Sequence, residues 1–155
     1  MATILVDFDG TCIPSLPMGG YTNYNTGAEK VLIDLIKNGH NIVLWTVRNE
    51  SDNNPYNSVS KQYKGKTSLQ EAIDWFKEKN ISLYGVNKYP NEEDNVGKSR
   101  KILGDYLIDD VSVGIPMKEV SIEYYSCLTG KTDQIITSHV DWDKIRLILE
   151  NLKLL

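Results

Sequence analysis

The sequence has little with which to staple itself, hold zinc or bind a charged surface. Its 155 residues include two cysteines, Cys12 and Cys127, far apart and in no C-x-x-C or zinc-type spacing. That excludes a disulfide framework and a zinc ribbon, and two reduced thiols fit a cytoplasmic protein. The two histidines, His40 and His139, stand alone, with no second ligand at metal spacing. Positive charge is not in excess: 17 Lys and Arg face 21 Asp and Glu, a net charge of -4. This excludes a basic nucleic-acid face, and an anionic ligand would need local positive charge or a cation to approach. No apolar run nears the roughly 20 residues of a membrane helix. The apolar stretch Ile4–Val6 is too short for a signal-peptide core. The expectation is one soluble cytoplasmic domain over residues 1–155, long enough for a real core, with no membrane and no nucleic-acid partner.

What is present is strand and helix in alternation. Residues 3–8 read as a buried strand, and Asn41–Thr46, Ser82–Val86 and Asp105–Ile108 as three more. Ala28, Val31, Leu32, Leu35 and Ile36 make an apolar helix stripe, with Thr26 and Glu29 as a capping box and Gly39 as the stop. Ser68 with Glu71 is a second capping box before the stripe Leu69, Ala72, Ile73 and Phe76. Residues 97–103 fit a short helix. Trp142, Ile145, Leu149 and Leu152 give a closing amphipathic helix that Asp141 can cap. Such alternation implies parallel strands with crossover helices: a Rossmann-like three-layer α/β sandwich around a central parallel sheet.

Three segments depart from this rhythm. Residues 12–25, rich in Pro, Gly, Asn and Tyr, read as a flap. Residues 49–66 read as a long polar insertion. Residues 118–138 read as a β-hairpin excursion around Thr129-Gly130-Lys131-Thr132, and are the surface through which two copies could pair. That tetrapeptide resembles the end of a P-loop but lacks its first glycine, since Tyr125 stands there, so a hairpin turn is the better reading. Tyr21, Tyr24, Tyr56 and Tyr63 lie in the first two segments, as partly buried anchors or as stacking platforms for a base or sugar.

In open parallel sheets, ligands bind beyond the carboxyl ends of the strands. Asp7, Thr46 and Asp109 all sit at such ends and should meet at one sheet edge. The acids demand explanation. Asp7 and Asp9, two apart, lie on one face of any continuous strand, and two unpaired carboxylates in a core are prohibitively costly. Either the strand ends between them or a cation neutralises them, and Gly10 lets the backbone turn there.

The run Asp7-Phe8-Asp9-Gly10-Thr11 resembles the first motif, D-x-D-G-T, of the haloacid dehalogenase (HAD) superfamily of phosphotransferases. Thr46 after Leu44-Trp45, Lys101 before the last core strand and Asp109-Asp110 after it match the other three motifs in order. The likeness spans most of residues 3–114. Its finer pattern (Leu44-Trp45-Thr46-Val47-Arg48, Val86-Asn87, Ile108-Asp109-Asp110, Gly114) resembles a small, nearly capless subgroup with a minimal cap. The segments 49–66 and 118–138 depart from that subgroup and leave the substrate open.

The resemblance implies a Mg²⁺-dependent phosphatase acting on a small phosphomonoester, a nucleotide or sugar phosphate among the candidates. Asp7 would be the nucleophile that forms an aspartyl-phosphate. Asp9 would be the general acid and base, its backbone carbonyl facing the metal. Thr46 would bind a phosphoryl oxygen, with Gly10 and Thr11 beside it, and Lys101 (or Lys98) would offset charge. Asp7, Asp9, Asp109 and Asp110 are the metal ligands, with Asp109 the preferred direct one and Asp110 acting directly, through water or by positioning. Arg48 would take a second anionic group of the substrate or form a surface salt bridge. Two competing readings keep the same residues: a binding or regulatory module without turnover, and a phospho-accepting receiver-like domain, whose motif order does not match.

Overall fold

The computed structural model describes residues 1–17, 20–50, 67–88, 104–126 and 128–155. The elements run β1 (Thr3–Val6), β2 (Gly20–Tyr21), α1 (Ala28–Lys37), β3 (Asn41–Leu44), α2 (Ser68–Glu78), β4 (Gly85–Val86), β5 (Tyr106–Ile108), β6 (Met117–Ser126), β7 (Lys131–Val140) and α3 (Trp142–Asn151). Two sheets form. The central one is parallel, in the order β4-β3-β1-β5, and the second is antiparallel, in the order β2-β6-β7. The first is the expected Rossmann-like α/β arrangement, and the long hairpin is the expected excursion.

The pleat explains the core. Ile4 and Val6 of β1, with Ile42 and Leu44 of β3, join the main apolar cluster. Val31 and Leu35 of α1, Ala72 and Phe76 of α2, and Ile145 and Leu149 of α3 complete it. Alternate residues on the other face, Leu5 and Val43, pack with Trp45 in a second, smaller cluster. The helix expected at 97–103 and most of the 49–66 insertion lie outside the described residues.

The strands are shorter than the apolar runs suggested. β1 stops at Val6 rather than residue 8, and β3 at Leu44 rather than Thr46. For β1 the reason is the turn at Phe8: its carbonyl accepts from the N–H groups of Thr11, Cys12 and Ile13 (3.3, 2.9 and 3.1 Å), which curls the chain away from the ladder. The caps also differ by one residue. Gly27, at φ 90°, precedes α1, and Thr26 accepts from Ala28 N–H while donating to Cys12 O. Thr67, not Ser68, caps α2, through Gln70 N–H at 3.1 Å. In both predicted boxes the glutamate has a cation partner instead: Glu29 pairs with Lys79 at 2.9 Å and Glu71 with Arg48 at 3.7 Å. Asp141 caps α3 as expected, through Lys144 N–H.

His40 is structural. Its Nδ1 accepts from Ala2 N–H and its Nε2 donates to Leu154 O, so it ties the two ends of the described chain together. Gly130, at φ 67°, closes the β6–β7 turn with its N–H on Ser126 O, which makes the Thr-Gly-Lys-Thr run a hairpin turn. Among the described residues, no helix is long and apolar enough to cross a membrane.

Candidate active site

Register places the acids. Val6 pairs with Ile108 and with Leu44, so Asp7, Asp109 and Trp45 are the first residues past three neighbouring strand ends. Asp7 N–H donates to Ile108 O at 3.0 Å and Trp45 N–H to Val6 O at 2.9 Å, carrying the alignment one residue beyond the ladder. Asp7, Asp109 and Asp110, all half-buried, each offer a carboxylate oxygen, and these oxygens lie within 4.8 Å of one another.

The chain is shaped to permit this crowding. Gly10 adopts φ +72°, and a Cβ there would stand 2.3 Å from Asp110 Oδ2. Only glycine fits both conditions. Thr11 is fully buried beneath the acids. Its hydroxyl donates to Asp7 Oδ2 at 3.4 Å and accepts from Asp110 N–H at 3.1 Å, linking two of the three carboxylate residues. Trp142 of α3 donates its indole N–H to Thr11 O at 2.8 Å, and β7 is tied in by Val140 N–H on Gly10 O at 2.9 Å. Gly10 and Thr11 thus build the acidic group from below, and Thr11 does not reach the surface where a substrate would lie.

Electrostatics follow from burial. Removal from water pushes the Asp7 carboxyl up to about 7 from 3.8; the Phe8 N–H opposes this, and the charges of Asp9, Asp109 and Asp110 add to it. Asp110 is raised by the same combination, burial first and then its neighbour Asp109. Cys12, buried, is pushed well above its usual value, chiefly by desolvation, and its Sγ lies 3.3 Å from Asp7 O as a weak donor. It is an inert thiol supporting the loop.

Asp9 is placed differently. Both its oxygens accept from Arg48, from Nε at 2.8 Å and from NH2 at 2.7 Å, in a bidentate fork. Arg48 is deeply set: its side chain is 13% exposed, its NH1 donates to Ser68 O, and its guanidinium lies 4.7 Å from the Phe8 ring centre. Burial opposes its charge, but Asp9, with Glu71 and Asp7, holds its pKa above the ordinary value. The salt bridge expected for Arg48 therefore exists, with the arginine sunk into the protein and the Asp9 carboxylate partly open to solvent. The Asp9 carboxylate is not one of the grouped three.

Thr46 stands two residues past β3. Its hydroxyl oxygen accepts from Arg48 N–H at 3.2 Å, which leaves its proton for a ligand. Its N–H donates to Asn87 Oδ1 at 2.8 Å. Asn87, at φ 53°, is the residue that sequence reasoning left without a role. Its signal is its position directly after β4, where a short polar side chain tolerates the left-handed conformation. Lys98 and Lys101, the two candidate site lysines, lie outside the described residues.

A solved structure of a conserved protein from Bacteroides thetaiotaomicron is similar over 73% of this chain and 78% of its own, with 32% sequence identity and a TM-score of 0.51. This chain belongs to that protein's family. No family model and no curated protein matches it. The shared fold is thus the α/β core with its parallel sheet.

Proposed function

We propose that this protein is a Mg²⁺-dependent phosphomonoesterase of the haloacid dehalogenase type, working through an aspartyl-phosphate on Asp7. The observation that carries the reading is the grouping of Asp7, Asp109 and Asp110 oxygens within 4.8 Å at the carboxyl ends of adjacent parallel strands. Acidic clusters alone are common; this one is distinguished by its place at the strand ends and by its donor type. Asp7, Asp109 and Asp110 would hold Mg²⁺ through hard carboxylate oxygens, the donor type that ion prefers. The glycine-only approach of Asp110 to Gly10 and the raised Asp7 pKa both fit a site completed by a cation. When bound, Mg²⁺ would offset the repulsion between carboxylate and phosphate.

The protein's own groups supply the remainder. One Asp7 oxygen attacks phosphorus, and the ester P–O bond breaks with its electron pair on the leaving oxygen. That oxygen takes a proton from Asp9; water then attacks the phosphorus and returns a proton to Asp9 as the Asp7–phosphorus bond breaks, releasing inorganic phosphate and restoring the Asp7 carboxylate. Thr46 donates its hydroxyl proton to a non-bridging oxygen, with the loop fixed by Asn87. While it is paired with Asp9, Arg48 is not open to a second substrate anion, and Asp9 acts as the acid only once that pair has opened.

One observation favours the second reading, a phosphate-binding module without turnover: both Asp9 oxygens are already held by Arg48, so proton delivery requires that pair to part. Release of inorganic phosphate from p-nitrophenyl phosphate, with Mg²⁺ and with chelator, separates the two. The phosphatase reading expects Mg²⁺-dependent turnover that Asp7→Asn abolishes. Full activity in that variant would remove Asp7 as nucleophile, and Mg²⁺-dependent binding without release would favour the module.

A further inference from the structure

A second feature adjoins the acids and has no part in the chemistry above. Between the flap and α2 lies a cavity of about 250 Å³. Arg48 forms part of its wall and holds Asp9 by two hydrogen bonds, so the cavity begins one bond from the group that would protonate a leaving oxygen. Phe8, between Asp7 and Asp9, lines it as well.

The flap wall is preformed. Gly20 and Tyr21 pair with Ser126 and Tyr125 of the hairpin, and the Thr22 hydroxyl donates to Glu123 O at 3.0 Å. The Tyr24 ring packs 5.5 Å from buried His139. The hairpin therefore holds the flap in place from behind.

Its chemistry is selective. Tyr24 and Trp75, both half-buried, give aromatic surface, while Phe8 lies buried at the back of the cavity beneath Arg48. Asn23 and Asn25 also line it, and each has its carbonyl oxygen already engaged: Asn23 Oδ1 by Tyr21 O–H at 2.6 Å, Asn25 Oδ1 by Gly27 N–H at 2.8 Å. These bonds fix both amides and leave their NH₂ groups as oriented donors. Glu71, Asp74 and Glu78 also line the wall; Glu71 faces Arg48 at 3.7 Å and Asp74 Oδ1 accepts from the Gln70 amide at 2.9 Å, so the wall carries net negative charge. The two cations there, Arg48 and Lys79, are bonded to Asp9 and Glu29.

We propose that this cavity is the leaving-group subsite of the phosphatase site and that it holds the base of a nucleoside monophosphate; the proposal rests on the phosphatase reading. Flat aromatic surface, two amide donors and carboxylate acceptors match a planar ring with carbonyl or ring-nitrogen acceptors and N–H donors on its edge. The carboxylates, with no uncommitted cation among the described wall residues, reject a second phosphate or a carboxylic acid. The volume, just under the roughly 300–1,000 Å³ of drug-sized pockets, takes one small ring system.

Nucleosides test this without any phosphoryl chemistry. Uridine and adenosine titrated into the full chain in chelator should give saturable quenching of tryptophan fluorescence, with ribose and glucose giving none. Asn23→Asp and Asn25→Asp keep the acceptor oxygens that hold the flap but delete the donors, and each should weaken nucleoside binding about tenfold. Absence of binding at millimolar nucleoside, an equal response to the sugars, or unchanged affinity in both variants would overturn the base assignment, while leaving Mg²⁺-dependent phosphate release untouched. Nucleoside binding with no phosphate release from any ester would do the opposite: the base site stands and the phosphatase reading falls.

Discussion

Replacing Asp7 with asparagine should stabilise the metal-free protein at neutral and higher pH, although it removes the proposed nucleophile. In the folded chain the Asp7 carboxyl titrates at about 7 instead of 3.8, because it is desolvated and faces three other acids. Between those values the unfolded chain has released a proton that the folded chain still holds. Folding is therefore progressively disfavoured as pH rises from about 4 to 7, and the penalty is constant above that. A shift of about 3 units at 1.36 kcal/mol each gives an upper bound of about 4 kcal/mol. Asp7 is partly open to solvent, and screening brings this to about 2 kcal/mol. Asparagine is neutral throughout and avoids the penalty. For a chain of this size the gain corresponds to a Tm increase of about 4–8 °C. Thermal unfolding in EDTA at pH 5 and pH 8, for both proteins, measures it: the advantage of Asp7→Asn at pH 5 should be less than about half its value at pH 8, where it is near its maximum. Added Mg²⁺ at pH 8 should then stabilise the wild type, by about 2.7 kcal/mol at a hundredfold excess over Kd, and leave the variant unmoved. A variant less stable than wild type at pH 8 in EDTA, or an advantage that does not grow with pH, would refute the reasoning.

Other substitutions probe neighbouring parts of the same structure. Gly10→Ala puts a methyl group 2.3 Å from Asp110 Oδ2 at positive φ, and should cost about 2–3 kcal/mol in urea unfolding; Mg²⁺-induced stabilisation should be lost with it. Arg48→Met removes both hydrogen bonds to the partly exposed Asp9 carboxylate and should cost about 1–2 kcal/mol; Arg48→Lys should rescue little, because an ammonium cannot make the two-pronged bond. Trp142→Phe leaves the Thr11 carbonyl without its indole donor and should cost about 1–2 kcal/mol, with the loss read as a lower denaturation midpoint.

Much of the core was legible because its signals are local. The apolar stripe of α1 at i, i+3, i+4 spacing buries Val31, Leu32 and Leu35 as its period requires. The hairpin announced itself by two β-rich runs around a glycine turn. Boundaries were less legible. Phe8 belongs by composition to β1, but three N–H groups from residues 11–13 converge on its carbonyl and end the strand earlier. Ser68 looks like a cap, yet Thr67 takes that role, and the Ser68 carbonyl accepts from Arg48.

By itself the sequence determined which segments form the parallel strands and that Asp7, Thr46 and Asp109 lie at or near their carboxyl ends. Short apolar runs mark the strands, their alternation with helices makes them parallel, and the cost of burying unpaired carboxylates leaves Asp7 and Asp109 no place in the core. What those residues touch was decided only in three dimensions. Nothing in a linear reading tells that Arg48 reaches back 39 positions to grip Asp9, that Thr11 sinks beneath the acids instead of facing a ligand, or that Asn87 holds the Thr46 loop. Each is a long-range hydrogen bond, selected by side-chain reach and by the cost of leaving a polar group unpaired once the sheet and helices have closed around it.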